Sequence, residues 1–263
     1  MRIMSSNILG SHFPNPVSDR ERDTFRIYED YKPDIIGFQE VNKGWRSSNL
    51  FTWLSEGYIF AGTEVYNGEN NVPIAIKKDY ELLAKGYELL EDTPDGSKAI
   101  TWAVVKHKEN KNVFGVCNTH FWFKYNSEAD DVLRAKNARQ LCDIMKYISH
   151  RFNCPVFAFG DMNCRRDSEV FQFIYPINEV KPLYDMTENK DDMASYHGYP
   201  EKGEDGKFHG KKTDKKYIES IDHFVSYGDG FKVLQYRVMC DQYALDATDH
   251  SPIYVDIEFN SII

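Results

Sequence analysis

At 263 residues the chain can bury a large layered core, and the expectation is one domain spanning 1–263. Lys and Arg number 32 against 41 Asp and Glu, so the net charge of -9 excludes a uniformly basic nucleic-acid surface and confines polyanion contacts to local patches. The 5 cysteines are odd in number and lack Cys-x-x-Cys spacing, which excludes a disulfide framework and a cysteine zinc site and fits a reducing compartment. Met1 leads directly into a core-like strand, so no signal peptide is expected, and no apolar run approaches membrane-spanning length. A soluble cytoplasmic protein, monomeric and without membrane contact, is expected.

Residues Arg2 to Ile8 alternate loosely between apolar and polar and predict a first strand with Asn7 near its end; alone, Asn7 reads as a turn former. After a Pro- and Asn-containing loop, Ser18 with Glu21 predicts a capping box opening a helix to about Tyr31, closed by Pro33. Asp34 to Val41 is a second apolar strand ending in Gln39 and Glu40. A carboxylate there is either exposed or aimed at a metal, since burial without a partner is costly. Trp45 to Glu56 carries Asn49, Leu50, Trp53 and Leu54 at helical spacing, a packing face. Tyr58 to Thr63 and Val72 to Lys78 predict strands around a polar loop holding Glu69, Asn70 and Asn71.

Tyr80 to Leu90 continues the strand-rich pattern, and the Glu-Asn-Lys-Asn run at 109–112 predicts a hairpin pairing Ile100–Lys106 with Asn112–His120. The second strand ends in Asn118, Thr119 and His120, followed by Phe121, Trp122, Phe123 and Tyr125. By itself His120 reads more simply as a hydrogen-bonded structural histidine than as a catalyst. From Glu128 to His150, Val132, Ala138, Leu141, Ile144, Met145 and Ile148 recur at three and four, predicting a long amphipathic helix.

The stretch Pro155 to Asn163, PVFAFGDMN, reads as a short buried strand running into an acid and an amide, with Gly160 permitting a sharp turn. Period-two alternation points Asp161 and Asn163 the same way, where they can act together on an anion or on an attacking water. The same alternation turns Cys164 away into the packing. A helix is expected from about Ser168 to Ile174. The segment from Met186 to Tyr217 is polar and dense in lysine (Lys202, Lys207, Lys211, Lys212, Lys215, Lys216), either a solvated loop or a phosphate-gathering flap. Asp222 falls on a strand, Glu219 to Tyr227, packed on both faces, where it needs a partner, the obvious one being a histidine. Phe231 to Cys240 predicts another strand. Asp249 and His250 then precede a last strand within Ala247 to Phe259.

The polar residues at strand ends are Asn7, Glu40, His120, Asp161, Asn163, Asp222, Asp249 and His250. Set in SSNI, DIIGFQEV, TWAVVKHK with NTHF, FAFGDMN, SYHGY, SIDHFVSY and TDHSPIYVDI, this ordered series resembles the endonuclease/exonuclease/phosphatase superfamily, also called deoxyribonuclease I-like, across essentially the whole chain. It is most similar to the bacterial branch related to carbon catabolite repressor type deadenylases. The resemblance implies a four-layered α/β sandwich, two packed mixed β-sheets flanked by helices, with a metal-dependent phosphoesterase site at one edge. It implies Mg²⁺ or Mn²⁺ on Glu40, with Asn7 and Asp249 completing or supporting the shell. Asp161 orients or deprotonates the attacking water, Asn163 fixes that water or a phosphoryl oxygen, His250 donates to the phosphoryl group, and Asp222 orients His250. His120 stabilises the phosphoryl group or assists the leaving group, while Lys98, His197 and Asn118 line the substrate side.

The pattern departs from the family at several points. GENNVPI carries an extra residue and leaves Glu69 or Asn70 where the partner acid of His120 is expected, Lys98 stands where Arg is common, Phe121-Trp122-Phe123 follows NTH, and Met162 sits inside GDMN. The expected activity is nuclease-like hydrolysis of a phosphodiester, the substrate being a phosphoester with nucleic acid among the candidates. The alternative is a phosphatase or phosphodiesterase for a small phosphorylated metabolite or lipid headgroup, which the acidic net charge favours. A catalytically silent binding protein on this fold is the third class, set aside because no ligand or base of the pattern is missing.

Overall fold

Short runs rich in Ile, Val and Phe, bounded by turn residues, pair into sheets because both faces of each strand can be buried at once. The computed structural model describes residues 1–11, 13–64, 71–94, 96–125, 127–213 and 220–260. Two six-stranded sheets form. The first has the order β13 (Phe231–Val238), β14 (Ile253–Phe259), β1 (Arg2–Asn7), β2 (Ile35–Gln39), β4 (Ile74–Lys77), β3 (Tyr58–Ala61). The second runs β5 (Tyr80–Leu89), β6 (Ala99–His107), β7 (Val113–His120), β8 (Val156–Asp161), β12 (Asp222–Tyr227), β9 (Lys181–Pro182). A small hairpin, β10 (Glu201–Lys202) with β11 (Phe208–His209), stands apart.

Each sheet is mixed and has a parallel pair at its centre, β1 with β2 and β7 with β8. Parallel neighbours need a long crossover, which α1 (Val17–Tyr31) and α4 (Glu128–Phe152) supply. The inner faces meet in a core that includes Ile3, Ile35, Phe114, Phe157, Phe159, Phe224 and Val255. On one outside, α4 lays Ala138, Leu141, Met145 and Ile148 against Val156, Ala158 and Val225. On the other, Ile27 and Tyr28 of α1 share a cluster with Trp45 of α2 (Lys43–Arg46), Leu50 and Leu54 of α3 (Leu50–Leu54), Met4 and Phe38. This is the four-layered sandwich expected. Each fully buried Phe or Ile contributes about 1.5–3 kcal/mol, so the three clusters together outweigh any single polar contact in holding the layers.

Several local expectations are corrected. Helix α1 begins at Val17 after Pro16, with no side-chain cap; Ser18 donates to neighbouring Asp19, and Glu21 accepts from Asn49, so there is no capping box there. A capping box does form at α4, between Ser127 and Asp130, and on that helix Val132 points to solvent. The packing face read at helical spacing over 45–56 falls on two short helices, because Asn42 caps α2 at its start and Ser48 bonds back only three residues, to Trp45. The helix expected from Ser168 is a π-type turn, Val170–Ile174, continuing into α5 (Tyr175–Ile177). Helix α6 (Gln242–Ala247) leads into the last strand. No helix among the described residues is long and apolar enough to cross a membrane.

Candidate active site

Alternation carries the inner core face straight into the site. Phe157 and Phe159 face the opposite sheet, so Asp161 does too; Phe114 and Val116 lead in the same way to Asn118 and His120, and Phe224 sits two residues from Asp222. Register then aligns the ends, with Asp161 opposite both His120 and Asp222, and Asn7 opposite Gln39. Gly160 (φ 144°) is required here, because a Cβ would lie 2.0 Å from the Thr119 carbonyl oxygen.

The central feature is a histidine between two carboxylates. His250 Nδ1 lies 2.8 Å from Asp222 Oδ2, and its Nε2 is 3.8 Å from Asp161 Oδ2. The carboxylates of Asp222, Asp249 and Asp161 overcome burial and raise the His250 pKa well above the ordinary histidine value, so the ring is cationic. Burial pushes Asp161 up to about 7, opposed chiefly by the His250 charge. A carboxylate poised near neutrality is suited to general-base work. Asp161 is also fixed from both sides, since Oδ1 accepts the Asn163 backbone N–H at 3.0 Å and Oδ2 accepts Asn7 Nδ2 at 3.1 Å.

His120 differs in charge state. Burial, then the neighbouring Lys98 ammonium, holds its pKa well below the usual value. Lys98 Nζ, which can only donate, lies 2.8 Å from His120 Nε2, and that nitrogen is 3.4 Å from Asp161 Oδ2. Two histidines in one site thus hold opposite protonation states, one an acid and one neutral.

Glu40, Asn7 and Asp249 gather beside this array. By alternation Glu40 would leave the inner face, but its left-handed backbone (φ 62°) re-aims it: Oε1 accepts Asn7 Nδ2 at 3.2 Å and Oε2 accepts the Gly10 N–H at 2.7 Å. Asp249 is buried with Oδ1 lacking a hydrogen-bond partner among the described residues, and burial together with the Glu40 charge raises its pKa to about 6. An orphaned carboxylate oxygen within electrostatic reach of a second carboxylate is the donor set that a hard divalent cation satisfies. Asn7 supports rather than completes this set, because its Nδ2 bridges Glu40 and Asp161 while its Oδ1 accepts the Leu9 N–H. By proximity alone Asp161, Asp222 and His250 also form a group able to hold a metal ion. The 2.8 Å contact between His250 Nδ1 and Asp222 is a proton position, so we favour the Glu40 and Asp249 side for an ion.

Sequence reasoning missed two residues that hold these loops. Arg20, on α1, is buried and donates to the carbonyls of Ile8, Leu9, Gly10, Asn15 and Ala247, tying the loop after β1 to the loop before Asp249. Burial lowers its pKa to about 10, offset by Asp249 and Glu40. The available signal was its place on the apolar stripe of Val17, Thr24, Ile27 and Tyr28. Thr248 donates to the Asn7 carbonyl at 2.8 Å and accepts the His250 N–H at 3.3 Å.

Other expected site residues are placed differently. Asn163 joins Asp161 through a left-handed turn (φ 47°), not through strand alternation, and its Nδ2 is spent on the Phe121 carbonyl at 3.2 Å. Asn118 does not reach substrate space: Nδ2 donates to the Phe38 and Pro73 carbonyls and Oδ1 accepts from Gln39, fastening the two sheets together. Lys98 serves His120 first. His197 lies over the site with both ring nitrogens buried and without a hydrogen-bond partner among the described residues, neutral because burial and the His250 charge bring its pKa to about 4. Cys164 is buried, and burial raises its thiol pKa, as expected for packing. Lys211 pairs with Glu201 at 3.1 Å, while Lys215, Lys216, Glu69 and Asn70 lie outside the described residues.

These charge states predict a pH dependence for the metal-free protein. Asp161, Asp249 and His250 have raised folded pKa values, so their stabilisation is complete below the unfolded values and is lost as pH rises through the folded ones. His120, His197 and His223 are depressed, so they oppose this only as pH falls below about 6.5. Between about pH 6.5 and 8 stability should therefore fall, on the order of 1 kcal/mol, lowering Tm by about 2–4 °C. Scanning calorimetry with a chelator present checks this; a rising Tm would contradict the charge assignment.

No family model matches the chain, and no curated protein does. Solved structures do. An endonuclease/exonuclease/phosphatase from Bacteroides vulgatus aligns at 23% identity over 98% of this chain and 98% of that one, TM-score 0.77. A Bacteroides thetaiotaomicron mannosyl-6-phosphatase aligns at 17% identity over 98% of this chain and all (100%) of that one, TM-score 0.73. The human Nocturnin catalytic domain, solved with sulfate bound, aligns at 16% over 99% and 94%, TM-score 0.74. Likeness at this identity speaks for architecture, and the chain has the fold of the endonuclease/exonuclease/phosphatase, deoxyribonuclease I-like proteins.

Proposed function

We propose that the protein hydrolyses a phosphodiester in a nuclease-like reaction, by direct attack of water on phosphorus with Mg²⁺ or Mn²⁺ as cofactor. The observation that carries this reading is His250 held by Asp222 at 2.8 Å and turned toward Asp161. Asp161, buried and with its pKa near 7, takes the proton of the attacking water. His250, cationic, donates to the phosphoryl oxygens as charge builds, and Asp222 holds its tautomer and orientation. His120 and Lys98 face the same centre on the leaving-group side. Glu40 and Asp249 would hold the cation, which when bound supplies Lewis-acid polarisation of the phosphoryl group.

A second reading, a phosphatase for a small phosphorylated metabolite, has its own support. Tyr199 stacks on Phe13 (5.1 Å, 11°), and both Asp249 and Glu40 act on the Tyr199 hydroxyl, so an aromatic wall stands beside these acids. Such a wall suits a sugar ring or a base. The fold is also that of a mannosyl-6-phosphatase.

One experiment tests the chemistry for both readings. DNA, RNA and sugar-phosphate substrates are assayed with Mg²⁺ and Mn²⁺, and a chiral thiophosphate analogue of whichever is turned over is followed to product. Inversion at phosphorus is expected, with Cys164→Ala within a few fold of wild type, since a phosphoenzyme route needs an activated nucleophile. Net retention or a trapped phosphoenzyme would overturn direct attack.

A further inference from the structure

Beside β12 the structure holds a cavity of about 320 Å³ lined by Arg166, Phe171, Gln172, Pro182, Tyr184, Asp185, His223, Phe224 and Tyr236. It shares none of its lining with the array of Asp161, Asp222 and His250. The volume lies at the small end of ligand sites, and its walls are mostly aromatic. Phe171 packs against His223 (4.5 Å between ring centroids), and Tyr184 lies edge-on to Tyr236 (5.4 Å). Aromatic faces and polar groups thus share the lining, with Arg166, Gln172 and Asp185 beside the rings.

Its one cationic lining group is Arg166. The guanidinium carbon sits 3.4 Å over the centre of the Tyr184 ring, which fixes its plane. The Nε–H is buried with no hydrogen-bond partner among the described residues. A buried donor on a cation is costly to leave unsatisfied, and the Nε edge of a guanidinium is one of its two forks for a carboxylate. His223 does not compete as a cation, since burial and Arg166 depress its pKa to about 3 and its Nε2 donates to the Cys164 carbonyl at 2.7 Å. Asp185 lines the cavity with opposite sign and disfavours a multiply charged anion such as a phosphate monoester.

We propose that this cavity is a binding site for a small aromatic monocarboxylate, its carboxylate on the Nε edge of Arg166 and its ring among Phe171, Tyr184 and Tyr236. The site has a direct line to the chemistry. Tyr236 donates its hydroxyl to the Asp222 backbone carbonyl at 3.4 Å, and His223 follows Asp222 in the chain. An occupant therefore touches the residues that hold the orienting carboxylate in place, and binding would change turnover without displacing substrate.

The test uses the full chain with a chelator present, so that no metal-bound carboxylate can mimic the site. Benzoate is titrated by calorimetry against acetate, which lacks the ring, and benzyl alcohol, which lacks the charge. Benzoate should bind at least about tenfold more tightly than either, as loss of a charged hydrogen bond or of ring burial implies. Arg166→Lys keeps the positive charge but not the fork, and should lose about tenfold in benzoate affinity with Tm preserved; Arg166→Gln should abolish binding. Glu40→Gln should leave benzoate binding unchanged, which separates this site from the carboxylate cluster. Equal binding of benzoate and benzyl alcohol, full affinity in Arg166→Lys, no benzoate heat at millimolar concentration, or loss of binding in Glu40→Gln would each overturn the proposal.

Discussion

Replacing His250 with alanine should lower kcat by about 10²–10⁴-fold, the usual range for removing a general acid or base. The ring contacts both Asp222 (2.8 Å) and Asp161 (3.8 Å), so its loss removes the proton donor and also the cation that stabilises ionised Asp161. Asp222→Ala should be nearly as severe, since His250 then loses both its orienting acceptor and the largest contributor to its raised pKa. The double variant should be little worse than either single one, because the residues act as a unit. Asp222→Asn separates orientation from charge, since the amide can hold the ring but cannot raise its basicity. The alkaline limb of its pH–rate profile should therefore move to lower pH. Steady-state kinetics across pH on the wild type and these four variants decide the matter, and full additivity of the alanine effects would show that the pair is not coupled.

The second large effect is on stability. Arg20→Met should cost about 3–5 kcal/mol, measured as a shift in the urea midpoint at constant m-value. The methionine can refill much of the space against Trp45, over which the guanidinium lies at 5.1 Å. It cannot donate to the carbonyls of Ile8, Leu9, Gly10, Asn15 and Ala247, and each buried acceptor left unmatched costs about 1–3 kcal/mol, reduced where water enters. Lysine should rescue little, because the carbonyls are spread around a planar fork and a single ammonium cannot span them. A change below about 1 kcal/mol would show that Arg20 is not the tie between these loops.

Period-two alternation and the polar strand ends were readable along the chain. Buried strands ending in Asp161 and His120 are present as read, Asp222 opens its strand where the reading had set it inside one, and its pairing with a histidine followed from the cost of a buried carboxylate. The layered α/β class followed from the resemblance carried by the ordered strand-end motifs. Which polar residues face the site and which fasten the scaffold was decided by tertiary structure. Asn118 and His120 share one strand face, yet Asn118 sits two residues deeper, where the sheets close to bonding distance and its amide meets Gln39 and two carbonyls. Glu40 and Asn163 reach the site only through left-handed residues, which no periodicity encodes. Arg20 looked like one more charged helical residue until the fold brought to it the loop at Ala247, 227 positions away. Local pattern determines which side of a strand a residue takes. Where that strand ends, and what stands opposite it, depends on partners distant in sequence, and there the chemistry of this chain was set.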